Sequence, residues 1–259
     1  MRFYVPSRNR PQCVTPETLI RYGVPSKDIK IVVRPDEYDM YRQEWDDHLL
    51  MVLPITVNGL SATRQWLLEN TVGKYQCQID DDITSFGIKA SILEFGGVHT
   101  FSDKRSFDLM IKKFVDWLEE GITAASTQDR VAVARPSSKR YKDCTRIGQV
   151  IFLNRHEIVK RGWRFDRCQI YADQDMALQI VRGGGLTRVS HEYAHNMRPI
   201  YAPGGVQVYR TQKVINSSAK KLCELHPGLV TLKWKQKGKF KVPTRRIAWR
   251  KAALEGDAV

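Results

Sequence analysis

Three consecutive carboxylates, Asp80, Asp81 and Asp82, follow the short, partly apolar segment KYQCQI at residues 74–79. Adjacent anions repel one another, and this repulsion raises the pKa values of the carboxyl groups unless a cation lies among them. Carboxylate oxygens are ligands that Mg²⁺ and Mn²⁺ prefer, so Asp80 and Asp82, spaced as Asp-x-Asp, are candidate ligands for such an ion. The alternative is a solvated acidic turn that also caps a helix.

A second acidic pair, Asp173 and Asp175, opens the segment DQDMALQIVRGGG, whose pattern predicts a helix that ends at residues 183–185. Taken alone, this pair is explained as well by an N-capping turn as by a function.

Two histidines lie in the segment HEYAH at residues 191–195, which matches the H-E-x-x-H pattern of zinc proteases. That pattern requires a helix, because only then do both imidazoles share one face. The glycines upstream, the run LTRVSHEY and Pro199 favour a strand, so we do not expect a zinc protease. On a strand, His191 and His195 still face the same way.

The elements that position these residues alternate in the first half of the chain. Strands are predicted at 2–7, 28–35, 48–55 and 74–79, and helices at 15–23, 36–45 and 59–71. Thr15 is the expected N-cap of the first helix, and Ser61 is the expected start of the third. This alternation predicts an α/β fold with a mostly parallel sheet flanked by helices. Ligands of such sheets bind beyond the carboxyl ends of the strands, so the segments 6–10 and 80–82 and Arg34 should gather along one edge.

The second half of the chain is less regular. Helices are predicted at 107–122 and 173–185, and strands at 130–136 (RVAVARP), 148–155 and 186–195, with a polar, basic loop between the first two of these strands.

Charge and composition indicate the partner and the compartment. The chain of 259 residues has a formal net charge of +14 and a sequence pI near 9.6. Such a balance favours a polyanionic partner, nucleic acid first, and the alternative is a merely basic surface. No run approaches the roughly 18 apolar residues of a membrane span, and the N-terminus lacks an apolar signal core. Because the five cysteines are scattered and without CxxC spacing, we expect reduced thiols and a cytoplasmic protein, with no membrane partner.

The C-terminal segment places nine Lys or Arg residues between Lys233 and Lys251, interleaved with aromatic residues such as Trp234 and Trp249. Cationic and aromatic side chains together suit phosphate contact and base stacking, so we expect this segment to bind DNA. The alternative is an edge strand guarded by lysines against aggregation. The candidate DNA contacts are Lys233, Lys235, Lys237, Lys239, Lys241, Arg245 and Arg246.

The segment YADQDMALQIVRGG resembles the Glu-Asp-x-Asp-Leu-x-Leu-Arg-Leu-Leu-Arg-x-Gly signature of glycosyltransferases with the GT-A fold. Val181, Arg182 and Gly184 match its end, whereas Ala172 stands where the signature has Glu. With the start FYVPSRNR, the acidic triplet and the histidine segment, the chain resembles the TET-associated glycosyltransferases over most of its length. These enzymes are encoded largely by bacteriophages.

The resemblance implies transfer of a sugar from a nucleotide-sugar, typically a UDP-sugar, to the hydroxyl of 5-hydroxymethylcytosine in DNA, in the host cytoplasm. Asp173 falls on the residue that takes the proton from the acceptor hydroxyl in inverting members, and Asp175 falls on the second acid. The resemblance also implies that Mn²⁺ or Mg²⁺ is held by Asp80 and Asp82, completed by His191 or His195, and stabilises the departing diphosphate. The implied donor-binding residues are Pro6, Ser7, Arg8, Arg10, Arg34, Arg64, Asp80 and Asp81.

On this reading the chain is one GT-A-like domain, with a nucleotide-sugar-binding half at 1–90, an acceptor half at 91–230 and a basic C-terminal extension at 231–259.

A base inside a duplex cannot enter a strand-end cleft, so it must be flipped out or presented on a loosened strand. The alternatives are a glycosyltransferase with a protein or polysaccharide acceptor, a metal nuclease that uses the same carboxylates, and a non-catalytic DNA-binding protein.

Overall fold

The computed structural model describes residues 1–198, 205–237 and 240–256. In the first third of the chain, short apolar strands alternate with helices. These elements are β1 (Arg2–Pro6), α1 (Thr15–Arg21), β2 (Ile29–Val33), α2 (Tyr38–Arg42), β3 (Leu50–Val52), α3 (Leu60–Asn70) and β4 (Tyr75–Ile79). The strands lie side by side in the order β3-β2-β1-β4 and run parallel. The predicted α/β alternation is therefore confirmed, and α3 begins one residue before the predicted Ser61.

The rest of the chain extends this sheet and adds a separate hairpin. Its elements are β5 (Ile83–Lys89), β6 (Val98–Thr100), α4 (Lys104–Glu119), β7 (Ala124–Asp129), α5 (Arg130–Val133), β8 (Tyr141–Asp143), β9 (Val150–Asn154), α6 (Arg155–Lys160), α7 (Ala172–Arg182), β10 (Thr187–Met197), α8 (Gln212–Leu225), β11 (Val230–Lys237), β12 (Phe240–Ile247) and α9 (Trp249–Gly256). Within the described ranges, the main sheet has the order β3-β2-β1-β4-β9-β7-β10-β5-β6, with β8 paired to β10.

The directions of the strands bring many chain segments to one edge of this mixed sheet. Strand β9 runs antiparallel to both of its neighbours, β4 and β7. Strand β10 is parallel to β7 and antiparallel to β5. The carboxyl ends of β1, β2, β4, β7 and β10 therefore share an edge with the starts of β5 and β9. Ligands of α/β sheets bind at this kind of edge.

One strand prediction is wrong. The segment RVAVARP is not a strand, because residues Arg130–Val133 form the helix α5, and the strand β7 lies just before it. The sequence of β7, AASTQD, has small and polar residues rather than the β-branched and aromatic residues that mark most strands. Asp129 then caps the helix, since its side chain accepts a hydrogen bond from the backbone N–H of Val131.

Helices cover both faces of the sheet. Helices α1, α2 and α4 pack on one face, where Leu19, Tyr41 and Phe114 belong to the largest apolar cluster. Helices α3, α6 and α7 pack on the other face. The basic C-terminal segment forms the β11–β12 hairpin and α9, and its apolar residues, among them Val230 and Ala252, share a cluster with α7. Nowhere in the described ranges does a helix have the length and apolarity to cross a membrane.

Packing between α4 and the sheet can be tested at one aromatic pair. Phe114 is fully buried and stacks on Phe152 of β9, with 4.3 Å between ring centroids. We expect Phe114→Ala to lower the free energy of unfolding by about 3 to 5 kcal/mol, measured by urea denaturation. The matched control, Leu109→Ala, removes a side chain that is 55% exposed on the same helix, and it should change stability by less than about 0.5 kcal/mol. Equal losses would contradict this packing.

Candidate active site

A cavity of about 400 Å³ opens at the shared edge of the sheet, and we call it the triplet cavity because Asp80, Asp81 and Asp82 line it. The end of β1, the residue after β2 and the start of α3 also line it, and so do Met197 at the end of β10 and Gly205, Gln207, Tyr209 and Arg210. The sequence-predicted donor-site residues that line it are Pro6, Ser7, Arg8, Arg10, Arg34, Asp80 and Asp81. Arg64 lines an adjoining cavity that also includes Asp80. The structure therefore brings this whole set of residues together.

Asp81 is the member of the triplet that holds the β1 loop. Its carboxylate accepts a hydrogen bond from Ser7 Oγ at 2.6 Å and another from Arg10 Nη1 at 2.8 Å. Tyr41 donates in turn to Ser7 Oγ at 2.7 Å. Both oxygens of this buried carboxylate thus have partners within the protein, and its charge is balanced by Arg10.

Asp80 and Asp82 lie on either side of Asp81 in the chain. Their carboxylate oxygens have fewer contacts within the described protein than those of Asp81, so they are more available to a ligand. Arg64 Nη2 lies 2.7 Å from Asp80 Oδ1. Burial raises the pKa of Asp80; the Arg64 charge opposes that rise, and the charges of Asp81 and Asp173 add to it. Burial also raises the pKa of Asp82 to about 6, with Asp80 and Asp81 adding to the shift and Arg10 opposing it.

One carboxylate oxygen of the triplet is suited to a metal ion. Asp82 Oδ1 is buried and has no hydrogen-bond partner in the described part of the chain. A buried anionic oxygen without a partner is unfavourable, and an oxygen-preferring divalent cation would relieve both the lost hydration and the repulsion from Asp80. The two carboxylates therefore fit Mg²⁺ or Mn²⁺, although no group of three or more His, Cys, Asp or Glu among the described residues is arranged to hold a metal.

The neighbouring helix α1 fixes the backbone of the triplet. Thr15 is not the N-cap of α1 as predicted, because Val14 occupies that position. The Thr15 hydroxyl instead donates to the carbonyl of Asp80 at 2.7 Å and accepts from the backbone N–H of Ile83 at 2.8 Å. This side chain closes the turn between β4 and β5.

Neither candidate metal histidine reaches the triplet cavity. His195 is fully buried, with Nδ1 2.7 Å from Thr127 Oγ1, and burial lowers its pKa to about 4. His191 Nδ1 lies 2.6 Å from Ser137 Oγ, and this residue lines a different cavity. The reason is the register of β10, which pairs His195 with Phe86 in the interior of the sheet and places Met197 beside Ile83 at the edge. The geometry therefore gives no support to either histidine as a ligand.

A second cavity, of about 210 Å³, adjoins the first, and we call it the Asp173 cavity. It shares Asp80, Arg146 and Gln149 with the triplet cavity. Asp173 lies in the first turn of α7, and its Oδ2 accepts a hydrogen bond from Arg146 Nε at 2.5 Å. The Asp173 charge raises the pKa of Arg146.

Asp175, two residues further along α7, is surrounded by protein side chains that contact both of its carboxylate oxygens. It is fully buried, and its Oδ1 lies 2.7 Å from His226 Nε2 and 3.2 Å from Arg167 Nη2. Its Oδ2 accepts a hydrogen bond from Gln179 at 2.9 Å. This carboxylate is fully buried, both of its oxygens have hydrogen-bond or ion-pair partners, and it lines neither the triplet cavity nor the Asp173 cavity. It is therefore poorly placed to take a proton from a substrate.

Several residues that line the two cavities are not among the site residues predicted from the sequence. Arg146 and Gln149 line both cavities, and so does the exposed Arg210, which has no hydrogen bond or ion pair within the described residues. Gln149 has a φ of 53° although it is not glycine, and its carbonyl accepts a hydrogen bond from the backbone N–H of Asp80. Such strained positions often occur at functional sites. The sequence signal for Arg146 and Gln149 is their position just before β9, a strand whose start lies at the ligand edge.

The predicted DNA contacts fall into three groups. Lys233, Lys235 and Arg246 are exposed on the β11–β12 hairpin. The backbones of Lys237 and Lys241 pair within that hairpin, their side chains are not described, and Lys239 lies outside the described residues. Arg245 faces the Asp173 cavity instead.

Arg245 has fixed contacts at that cavity. Its guanidinium carbon lies 3.5 Å from the ring centroid of Tyr171, and its Nε donates to Gln174 Oε1 at 3.1 Å. Burial lowers the pKa of Arg245 from its ordinary value. The hairpin therefore contributes one cation to the wall of this cavity.

Different roles for the two acids of α7 predict different effects on stability. We expect Asp175→Asn to lower the free energy of unfolding by about 3 kcal/mol, because it removes the negative charge that Arg167 faces and disturbs the buried contacts with His226 and Gln179. The matched control, Asp173→Asn, removes a partly exposed ion pair on the same helix and should cost less than about 1 kcal/mol. Chemical denaturation of both variants tests this, and a larger loss for Asp173→Asn would reverse the assignment.

The raised pKa of Asp82 predicts a pH-dependent cost to stability. In the unfolded chain this carboxyl ionises near 3.8, whereas in the fold it ionises near 6, so its ionisation destabilises the fold increasingly between these values and fully above them. With EDTA at pH 7.5, Asp82→Asn should therefore raise the free energy of unfolding by on the order of 2 kcal/mol.

That gain should fall to near zero at pH 3, where Asp82 is largely protonated in both states. Urea denaturation across this pH range measures it. The control Asp108→Asn, on the exposed face of α4, should show no comparable change. A destabilised Asp82→Asn variant at pH 7.5 would mean that the ion pair of Asp82 with Arg10, at 3.5 Å, outweighs burial and the repulsion from Asp80 and Asp81.

Comparisons with known proteins agree with this architecture. A model of the family described as TET-associated glycosyltransferase matches residues 1–204, whereas no curated protein matches the chain. Among solved structures, S. aureus TarS 1–349 in complex with UDP-GlcNAc is similar, with a TM-score of 0.52 and 14% identity over 86% of this chain and 67% of that chain.

GalNAc-T7 with UDP, GalNAc and Mn²⁺ aligns at a TM-score of 0.48 and 12% identity, over 86% of this chain and 48% of that chain. The expected GT-A fold is confirmed. Because the family model spans most of the chain and the fold agrees with it, the chain belongs to the TET-associated glycosyltransferase family.

Proposed function

We propose that this glycosyltransferase moves a sugar from a UDP-sugar to the hydroxymethyl group of 5-hydroxymethylcytosine in DNA, with the help of Mn²⁺ or Mg²⁺. One observation carries the proposal. The cavity lined by the acidic triplet and the cavity lined by Asp173 adjoin and share Asp80 and Arg146. A donor diphosphate in the first cavity and an acceptor hydroxyl at the second would then meet.

The triplet cavity suits a nucleoside diphosphate. Arg8 and Arg34 lie on its β1–β2 side, and Arg210 lines it without an ion pair in the described part of the chain. Guanidinium groups bind phosphate oxygens through two parallel hydrogen bonds. Gly59 and Leu60, at the start of α3, also line the cavity, and helix N-termini favour phosphate. The UDP-GlcNAc in the TarS structure, which shares this fold, supports a UDP-sugar as donor.

Asp80 and Asp82 are the residues that would hold the divalent cation. The buried Asp82 Oδ1, which has no hydrogen-bond partner among the residues that the structure describes, and the repulsion within the triplet support this assignment. When bound, such an ion neutralises the charge that develops on a departing diphosphate. The protein itself adds cations at the same place, because Arg64 lies against Asp80 and Arg146 lines both cavities.

Asp173 is the proposed general base. Its hydrogen bond from Arg146 leaves one carboxylate oxygen, Oδ1, without a hydrogen bond within the described residues and thus open to an acceptor hydroxyl. The acceptor oxygen would form a bond to the anomeric carbon while the bond from that carbon to the diphosphate breaks. The hydroxyl proton passes to Asp173, and UDP leaves with the electron pair. Asp175 would hold α7 in place, since its carboxylate is buried and engaged.

The distribution of positive charge supports DNA as the acceptor. The chain has a net charge of +14, and the hairpin exposes Lys233, Lys235 and Arg246 beside Trp234, which is 44% exposed. Arg245 connects this hairpin to the Asp173 cavity. Phosphate contacts along the hairpin would thus bring the duplex next to the proposed base.

The direct test is mass spectrometry of nucleosides from hydroxymethylated DNA incubated with the protein, Mn²⁺ and a panel of UDP-sugars. We expect a glycosylated hydroxymethylcytosine for the wild type and none in excess EDTA. Asp173→Asn should lower turnover by about 100-fold or more, because the proton acceptor is lost, while the affinity for the UDP-sugar stays unchanged.

The control for this variant is Asp166→Asn, which alters an exposed carboxylate paired with Arg164 and should leave turnover unchanged. Product formation that is insensitive to EDTA would contradict the metal assignment. Sugar transfer to a protein or polysaccharide but to no hydroxymethylated DNA would overturn the acceptor.

A further inference from the structure

A third cavity, of about 450 Å³, lies at the carboxyl end of β7, and we call it the Ser126 cavity. Arg146 and Gln149 line it as well as the other two cavities. It is therefore next to the ion pair of Arg146 with Asp173, and no residue of the acidic triplet lines it. Its volume lies within the range of about 300 to 1,000 Å³ that is usual for ligand pockets.

Two polar side chains of β7 lack partners at this cavity. Ser126 is 1% exposed, and its Oγ is buried without a hydrogen-bond partner in the described part of the chain. The side-chain amide of Gln128, which is partly buried, likewise has no hydrogen bond within the ranges that the structure describes. Buried polar groups in folded proteins are nearly always satisfied, so an orphaned hydroxyl at a cavity calls for a ligand.

Ser126 and Gln128 project from the side of the sheet that carries α7. Side chains alternate along a strand, so these two residues share a face. Ser126 pairs with Ile151 on β9 and with Val189 on β10, and both of these residues belong to the apolar cluster that contains Met176 of α7. Since Asp173 lies in the first turn of α7, the unpartnered groups and the proposed base lie on the same side of the sheet.

We propose that the Ser126 cavity holds the extruded pyrimidine base of the DNA acceptor, and that Gln128 and Ser126 read its Watson–Crick edge. This inference rests on the proposed function. Enzymes that modify a base in a duplex flip it into a pocket and read it by hydrogen bonds to that edge. Cytosine presents an amino donor at N4 and acceptors at N3 and O2, which a glutamine amide and a serine hydroxyl complement.

The rest of the cavity suits a base attached to a backbone. Ile147 and Val189 provide apolar wall for the faces of the ring, and both are buried. Lys142 is exposed at the cavity and has no ion pair within the described residues, so it is available to a phosphate of the flipped nucleotide. Because Arg146 lines this cavity and pairs with Asp173, the hydroxymethyl group of a base seated here would come close to the proposed general base.

The test compares Ser126→Ala and Gln128→Ala with wild type on a duplex that contains a single 5-hydroxymethylcytosine. We expect kcat/KM for the DNA to fall about tenfold or more in each variant, the usual effect of losing base-edge hydrogen bonds. The affinity for the UDP-sugar and for unmodified duplex should stay at the wild-type value. The Tm of Ser126→Ala should equal or exceed that of wild type, because the deleted hydroxyl has no hydrogen-bond partner within the described ranges.

Two further measurements separate base reading from a structural role. Gln128→Ala should reduce the preference for 5-hydroxymethylcytosine over 5-hydroxymethyluracil, a ratio that general destabilisation leaves unchanged. The control Ser217→Ala, on the exposed face of α8, should change neither kcat/KM nor this ratio. Wild-type kcat/KM in both β7 variants, with the wild type active on hydroxymethylated DNA, would overturn the base pocket alone. A wild type that modifies no hydroxymethylated DNA would overturn the proposed acceptor and this pocket together.

Discussion

Three neighbouring carboxylates, Asp81 buried and Asp80 and Asp82 partly buried, lie together at the end of β4 because two guanidinium groups, those of Arg10 and Arg64, lie against them. Burial of like charges without such partners is too unfavourable to persist. The cations come from opposite sides, Arg10 from the loop after β1 and Arg64 from α3. Their ion pairs therefore also fix the positions of those two elements. The first cavity takes its shape from this arrangement.

The positive charges of Arg10 and Arg64 only partly balance the three negative charges of the triplet. This imbalance is what allows the site to bind a cation. Asp81 is paired twice and Asp80 once, whereas Asp82 lies 3.5 Å from Arg10 and retains a buried oxygen without a hydrogen-bond partner among the described residues. Its pKa is raised to about 6. A fold optimised only for stability would remove one of these charges. Keeping it costs stability in the absence of a cation and leaves a binding site for one, a trade that is common at active sites.

Helix α7 repeats this division between an anchored and an available acid. Asp175 contacts His226, in the segment after α8, and Arg167, in the segment before α7. The contact with His226 therefore connects α7 to the C-terminal elements. Asp173, half a turn away, points to the cavity and meets Arg146. Arg146 and Gln149 then join all three cavities into one surface at the ligand edge. On the proposed function, donor, base and acceptor would be arranged around these two residues.

Local patterning in the sequence determined the alternation of β1 to β4 with helices, the amphipathic α4, the strand character of the histidine segment and the position of the acids at element ends. These features depend on residues close together in the chain, so periodicity and capping residues reveal them. The strand-end rule then sufficed to bring Ser7, Arg34 and Asp80 to one edge.

Only the tertiary structure decided which acids are engaged, where the histidines lie and which unpredicted residues join the site. Partners of Asp81 and Asp175 come from distant segments, and the register of β10 rather than its pattern buries His195. Strand β7 escaped detection because small polar residues in the middle of a sheet have no distinctive period. Arg146 and Gln149 escaped because β9 runs antiparallel to its neighbours, which brings the start of that strand, not its end, to the ligand edge.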